Sequence, residues 1–247
     1  MTRGAPSTEA QDPDCRSDAE AVELLRGAPW RRLVVVGDSV AAGTREPTPG
    51  YRDASGTDRL AEWLARSRRD FCHRNLAQPR LRLAEVRAAQ LRAAIDLEPD
   101  LVVVAAGGND ALARDFDPEA VEAEFRALLQ PLAASGALVV TLGLFDLARS
   151  GLVPPDLAEP LAVRFDHLDA MTRDACVAAG GIHIENHAHP RSADPGIFAG
   201  DRIHANARGH AISAATLAAG LHAYLRNRAD REGATAVDRG EQGASLS

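Results

Sequence analysis

Residues 33–40 read Leu33-Val34-Val35-Val36-Gly37-Asp38-Ser39-Val40. An unbroken apolar run, rich in β-branched residues and stopped by a glycine, is the pattern of a short strand buried on both faces. A strand with one wet face would alternate apolar and polar residues instead. The pattern returns at Leu101-Val102-Val103-Val104 and over 137–144. Weaker strand signals lie at 71–77 and 182–185. Between these runs the apolar spacing is helical, over 57–67, 83–97, 118–134, 157–179 and 206–227. Pro99 and Gly180-Gly181 end two of the helices, and Pro118 opens another. Ser17, with Glu20 three residues later, predicts a capping box on a short first helix. Strands alternating with helices predict an α/β fold built on a parallel, doubly wound sheet. Right-handed crossovers cover both of its faces and explain strands that are apolar throughout.

The length of 247 residues suits a single domain, expected over 17–228. Residues 1–16 and 229–247 are polar and lack apolar periodicity, so both are expected as flexible tails. The chain is 45% hydrophobic and 26% charged, ordinary for a globular protein, with no apolar run long enough to span a membrane. The acidic N-terminal stretch has no signal-peptide pattern, which points to the cytoplasm. A net charge of −7 argues against nucleic acid as a partner. Every basic residue is Arg, which excludes lysine Schiff bases and Walker A loops. The three cysteines, Cys15, Cys72 and Cys176, are widely spaced. No disulfide scaffold or thiolate metal site is expected, and Cys72 and Cys176 read as buried thiols.

Three segments fall where such a sheet does its chemistry, outside the carboxyl ends of strands near the reversal of strand order. They are Gly37-Asp38-Ser39-Val40, Gly107-Gly108-Asn109-Asp110 and Asp201-Arg202-Ile203-His204. In an order 2-1-3-4-5, Ser39 and Asn109 face each other across that reversal, and the loop over 186–200 is long enough to carry His204 to them. Ser39, expected at the start of a helix, is a candidate nucleophile, with free N–H groups beside it for developing negative charge. His204 is the matching general base, and Asp201 can hold its second ring nitrogen and fix the tautomer. Asn109 can donate amide hydrogens to a tetrahedral oxyanion. Any one of these segments alone is a common turn. Their joint placement at strand ends is what points to catalysis.

The three segments resemble the first, third and fifth blocks of the SGNH hydrolases, the GDSL-type esterases and lipases. The run Asp201-Arg202-Ile203-His204-Ala205-Asn206-Ala207-Arg208-Gly209-His210 is similar to that family's last block. Pro49-Gly50-Tyr51 resembles a feature of intracellular actinobacterial members. The resemblance extends over about 31–225. It implies a flavodoxin-like α/β/α sandwich with five parallel strands in the order 2-1-3-4-5. It also implies Ser39 as nucleophile and backbone oxyanion donor, Asn109 as side-chain donor, His204 as base and Asp201 as its orienting acid, with no metal or organic cofactor. At the second block, Asn75-Leu76-Ala77-Gln78-Pro79-Arg80 puts Arg80 where the family has a glycine that donates its N–H to the oxyanion. Arg80 keeps an N–H but adds bulk and charge.

The expected partner is a small-molecule ester with a small or medium acyl group, cleaved through an acyl-enzyme at Ser39. Acyl transfer with the same residues, and a weakly active binding module of the same fold, are the alternatives. Asp38, Phe145, Asp146 and Phe198 are candidate substrate contacts. His183, Glu185, His187 and His189 alternate like metal ligands on one strand face. Pro190 and the polar residues after it argue against so long a strand, so these are expected as solvated loop residues. His210 is expected to pack or hydrogen-bond.

Overall fold

The computed structural model describes residues 8–244, with side chains through residue 231. The elements are α1 (Asp18–Leu24), β1 (Arg32–Gly37), α2 (Gly56–Ser67), β2 (Cys72–Asn75), α3 (Leu83–Asp96), β3 (Leu101–Ala105), α4 (Gly108–Leu112), α5 (Pro118–Ala134), β4 (Leu138–Leu142), α6 (Pro155–Ala178), β5 (Ile182–Ile184) and α7 (Ala207–Ala244). The five strands are all parallel, in the order β2-β1-β3-β4-β5. The expected fold class and strand order are those observed.

The two-residue period of a strand sorts the apolar run that opened the sequence reading. Leu33 and Val35 of β1 join Leu101, Val103 and Ala105 of β3 in one core, packed against α1, α2 and α7. Val34 and Val36 join Val102 and Val104 in a second core, packed against α3, α5 and α6. Each strand thus serves two cores. Ser17 and Glu20 form the expected capping box. In β1–β3 the register pairs Gly37 with Ala105, so the central strands end level and their following turns open side by side. Gly37 tolerates no side chain there, because a Cβ would stand 1.9 Å from the Ala105 carbonyl oxygen.

Four expectations change. No helix begins at Ser39: residues 39–43 form turns, and α2 starts only at Gly56. The chain after β3 makes a helical turn, α4, not anticipated because its five residues are too few for a periodicity. Helix α7 passes the expected end at 227 and continues to Ala244, so the C-terminal tail expected over 229–247 is helical as far as 244. Its Ala, Arg and Glu residues favour helix, and extending an existing helix is easier than starting one. Residues 245–247 of that tail lie outside the described residues.

The N-terminal segment expected as a tail is held down over its described part. Glu9 accepts two hydrogen bonds from the guanidinium of Arg59, which is buried. Asp12 accepts from Arg208 Nε at 2.8 Å and from the Tyr51 hydroxyl at 2.8 Å. Asp14 pairs with Arg191. A sequence window cannot reveal this anchoring, because the partners lie 39 residues and more away. Residues 1–7 lie outside the described residues. Among the described residues no helix is long and apolar enough to cross a membrane.

Candidate active site

Three loops bring the predicted residues together at the carboxyl end of the sheet. The Ser39 turn leaves β1, the Asn109 turn leaves β3, and the loop ahead of α7 supplies Asp201 and His204. His204 Nε2 lies 2.8 Å from Ser39 Oγ, and its Nδ1 lies 2.6 Å from Asp201 Oδ2. Asp201 Oδ1 also accepts the backbone N–H groups of Ile203 and His204, at 2.9 and 3.0 Å. Burial pushes the Asp201 carboxyl upward, but these hydrogen bonds, the ring's first, hold it below its ordinary value. An acceptor on Nδ1 fixes that nitrogen as the N–H and leaves Nε2 free to take the serine proton.

The loop carrying His204 is itself braced. Phe198 and Ala205 form an antiparallel bridge. Asn206, unforeseen in the sequence, donates through Nδ2 to the carbonyls of Gly196 and Phe198, and its Oδ1 accepts the Gly209 N–H at the start of α7. A second unforeseen brace lies under Ser39. Buried Gln90 on α3 accepts the Gly37 N–H at 2.8 Å and donates to the Gly37 carbonyl at 2.9 Å. No local motif marks Gln90, which occupies a buried position in an otherwise helical spacing.

Donors for an oxyanion are present. The Ser39 N–H has no acceptor among the described residues. Asn109 Nδ2 donates one hydrogen to the Leu81 carbonyl at 2.9 Å, which leaves its second available. Arg80 is exposed, at φ 72°, and outside the pocket wall. Its φ is the left-handed backbone that glycine takes without strain.

Ser39 and His204 open on a pocket whose wall is mainly apolar: Leu142, Leu144, Phe145, Leu147, Phe165 and Phe198. Leu112 and Ile203 line its rim and are exposed large hydrophobic residues. Phe145 and Phe198, both named as candidate contacts, line this pocket; Asp146 does not. The Asp146 carboxylate is engaged by Arg149. Asp38 lines the pocket but is fully buried, with its carboxylate accepting the Val40 N–H at 3.0 Å. Burial, with the nearby Asp110 carboxylate adding to it, pushes its pKa up to about 7. His210 is buried too. Its Nδ1 accepts the Gly56 N–H and its Nε2 donates to the Thr44 carbonyl, a neutral ring joining α7 to α2. Burial pulls its pKa down to about 4.

The histidines expected as solvated include two that are not. His183 is buried between the Thr141 hydroxyl at 2.8 Å and Asp169 at 3.1 Å. His187 bridges the Leu144 carbonyl and Asp166. Asp169, His183 and Glu185 bring three ligand-type atoms within 4.8 Å of one another. Arg173 hydrogen-bonds both carboxylates, so a guanidinium supplies the positive charge in that cluster. Of the thiols, Cys176 is buried as expected, but Cys72 is exposed and Cys15 is the second buried one. Cys72 opens β2, an edge strand open to solvent.

The family model described as GDSL-like Lipase/Acylhydrolase matches residues 35–212, which include the Ser39, Asn109 and His204 segments. The chain belongs to the GDSL-like lipase/acylhydrolase family. It is a carboxylic ester hydrolase. No curated protein matches its sequence. Among solved structures it is similar to LAE5, an alpha/beta hydrolase from the metagenome of Lake Arreo, Spain, with 20% identity, TM-score 0.62, and coverage of 79% of this chain and 95% of that one. It is similar to a catalytic mutant of Axe2, an acetylxylan esterase from Geobacillus stearothermophilus, at 15% identity, TM-score 0.62, and coverage of 79% and 94%. It is also similar to the psychrotrophic esterase EstA from Pseudoalteromonas sp., at 14% identity, TM-score 0.59, and coverage of 79% and 99%. At these identities the likeness is one of fold.

Proposed function

We propose that this GDSL-family hydrolase cleaves esters of small or medium acyl groups through an acyl-enzyme at Ser39. The observation that carries the proposal is the Ser39–His204–Asp201 relay, with contacts of 2.8 and 2.6 Å, opening on an apolar pocket. Ser39 Oγ attacks the acyl carbonyl carbon while His204 Nε2 takes its proton. Asp201 holds Nδ1–H and stabilises the imidazolium. The oxyanion that forms accepts from the Ser39 N–H and the free hydrogen of Asn109 Nδ2. As the carbonyl re-forms, the ester C–O bond breaks, and His204 returns the proton to the departing alcohol. Water then repeats the sequence in reverse and frees the acid and Ser39. The pocket volume of about 80 Å³ holds only a few water-sized groups and supports a short acyl chain.

Ser39→Ala is expected to lower kcat on 4-nitrophenyl acetate by at least about 10³-fold and to abolish fluorophosphonate labelling, with thermal stability kept. Wild-type turnover in that variant would overturn the mechanism. Transfer of the acyl group to an added alcohol, in preference to water, would favour the acyltransferase alternative.

A further inference from the structure

We infer that the natural ester carries an anionic group, a carboxylate or phosphate near the scissile bond, held at the mouth of the cleft by Arg80 and Arg202. The inference rests on the hydrolase reading above and names its substrate class.

The chain has 28 basic residues, and most arginines in the described part are engaged: Arg45 with Asp53, Arg82 with Asp115, Arg149 with Asp166 and Arg191 with Asp14 are examples. Arg80 and Arg202 are exposed, and neither side chain has a partner among the described residues. Both hold a left-handed backbone, at φ 72° and 62°. The third non-glycine residue with positive φ, Glu98, spends its carboxylate on Arg32. Strained backbone at a bulky residue persists where the surroundings hold it, and such positions gather at functional sites.

Their places in the fold are specific. Arg80 precedes Leu81, whose carbonyl is bonded to Asn109, so its backbone is tied to the oxyanion side of the site. Arg202 sits between Asp201 and Ile203, and Ile203 lines the pocket rim. The two residues ride on the connections that follow β2 and β5, the two edge strands of the sheet, and each is next in sequence to a residue that touches the site, Leu81 and Ile203. The acids close by in sequence are committed: Asp201 to His204, Glu85 to the Arg82 N–H, and Asp115 to Arg82. Glu46 accepts the Gly200 N–H. In a chain of net charge −7, two exposed guanidinium groups without a partner, each on a loop that carries residues of the site, stand out. Each presents a planar fork of donors that matches the paired oxygens of a carboxylate or phosphate.

The test compares 4-nitrophenyl hemisuccinate with its neutral methyl ester. The 3-phosphonopropionate ester of 4-nitrophenol shows which oxyanion is preferred. The readout is the ratio of kcat/KM, charged over neutral. In the wild type the ratio is expected to exceed one and to fall in 1 M salt, where the Debye length is about 3 Å. In the double variant Arg80→Gly, Arg202→Gly it is expected to fall at least about tenfold, the scale of one charge-assisted hydrogen bond. Glycine takes both φ values without strain, so the fold is retained, as a melting curve checks. Arg69→Gln, at another exposed arginine without a partner, on the turn between α2 and β2, is expected to leave the ratio alone. A ratio within twofold of wild type in the double variant would overturn the inference alone. A wild type that neither labels with a fluorophosphonate nor cleaves any of these esters would overturn the hydrolase reading, and this one with it.

Discussion

Ser39 is presented by a glycine two residues before it, and that glycine is held by one amide side chain. Gln90 satisfies both the N–H and the carbonyl of Gly37 inside the protein. Gln90→Leu keeps the volume and removes both partners. The loss of two buried backbone bonds is expected to cost about 1–3 kcal/mol for each group left unpaired and to lower kcat more than it changes KM, because the turn that aims Ser39 is loosened. Urea denaturation and ester kinetics on one preparation check both halves. His210 makes a different prediction. Its pKa lies at about 4 in the folded protein, against an ordinary 6.5. The unfolded chain therefore binds the proton first as pH falls. The stability that the neutral ring contributes is whole above about pH 6.5 and lost as pH falls through about 4. Asp38, raised to about 7, works in the opposite sense, gaining its proton first in the folded state. Subtracting the pH profile of His210→Gln from that of the wild type removes the Asp38 contribution. The wild type is expected to lose about 3 kcal/mol more between pH 7 and pH 4 than the variant loses.

At the level of elements, the strands were legible because a buried parallel strand has a composition all its own, and the long helices because they repeat. The boundaries of α5, Pro118–Ala134, could be read to the residue from a proline and an apolar stripe. Ser39 and Asn109 could be singled out because each follows a strand end, and Asp201 and His204 because they stand in a short, distinctive segment ahead of the last helix. What could not be read was anything fixed by a distant partner. Gln90 and the anchored N-terminal arm depend on such partners. Asn206 and Asp146 bond within ten residues, to Gly196, Phe198 and Gly209 and to Arg149, in loops whose course no periodicity fixes. The arm carries its own prediction. Asp12 and Arg208 form an ion pair with side-chain exposures of 0% and 4%. Asp12→Ala leaves the guanidinium buried with one partner fewer. It is expected to cost about 3–5 kcal/mol and to lower Tm by roughly 10 °C. Thermal melts of Asp12→Ala and of the charge-neutral Asp12→Asn measure it.

On the scale of the whole molecule, the two cores and the arm leave one of the three cysteines open to solvent. A thiol reagent under native conditions is expected to modify Cys72 rapidly, and all three only in denaturant. Burial pushes the Cys15 thiol up to about 12, and Cys176 upward as well, which suppresses their thiolates besides hiding them. Rapid native modification of two thiols would show that the arm lifts away from the domain. That arm also sets a clock on the making of the protein. Asp12 and Arg208 lie 196 residues apart, and Ser39 and His204 lie 165 apart. A ribosome adding about 5–20 residues each second needs roughly 10–40 s to travel from the first partner of the arm to the last. Through that interval the nascent chain carries Ser39 without the histidine that contacts it. The segment that would complete the proposed relay also delivers the cation that fastens the arm, so both arrive together once residues 201–208 have been made.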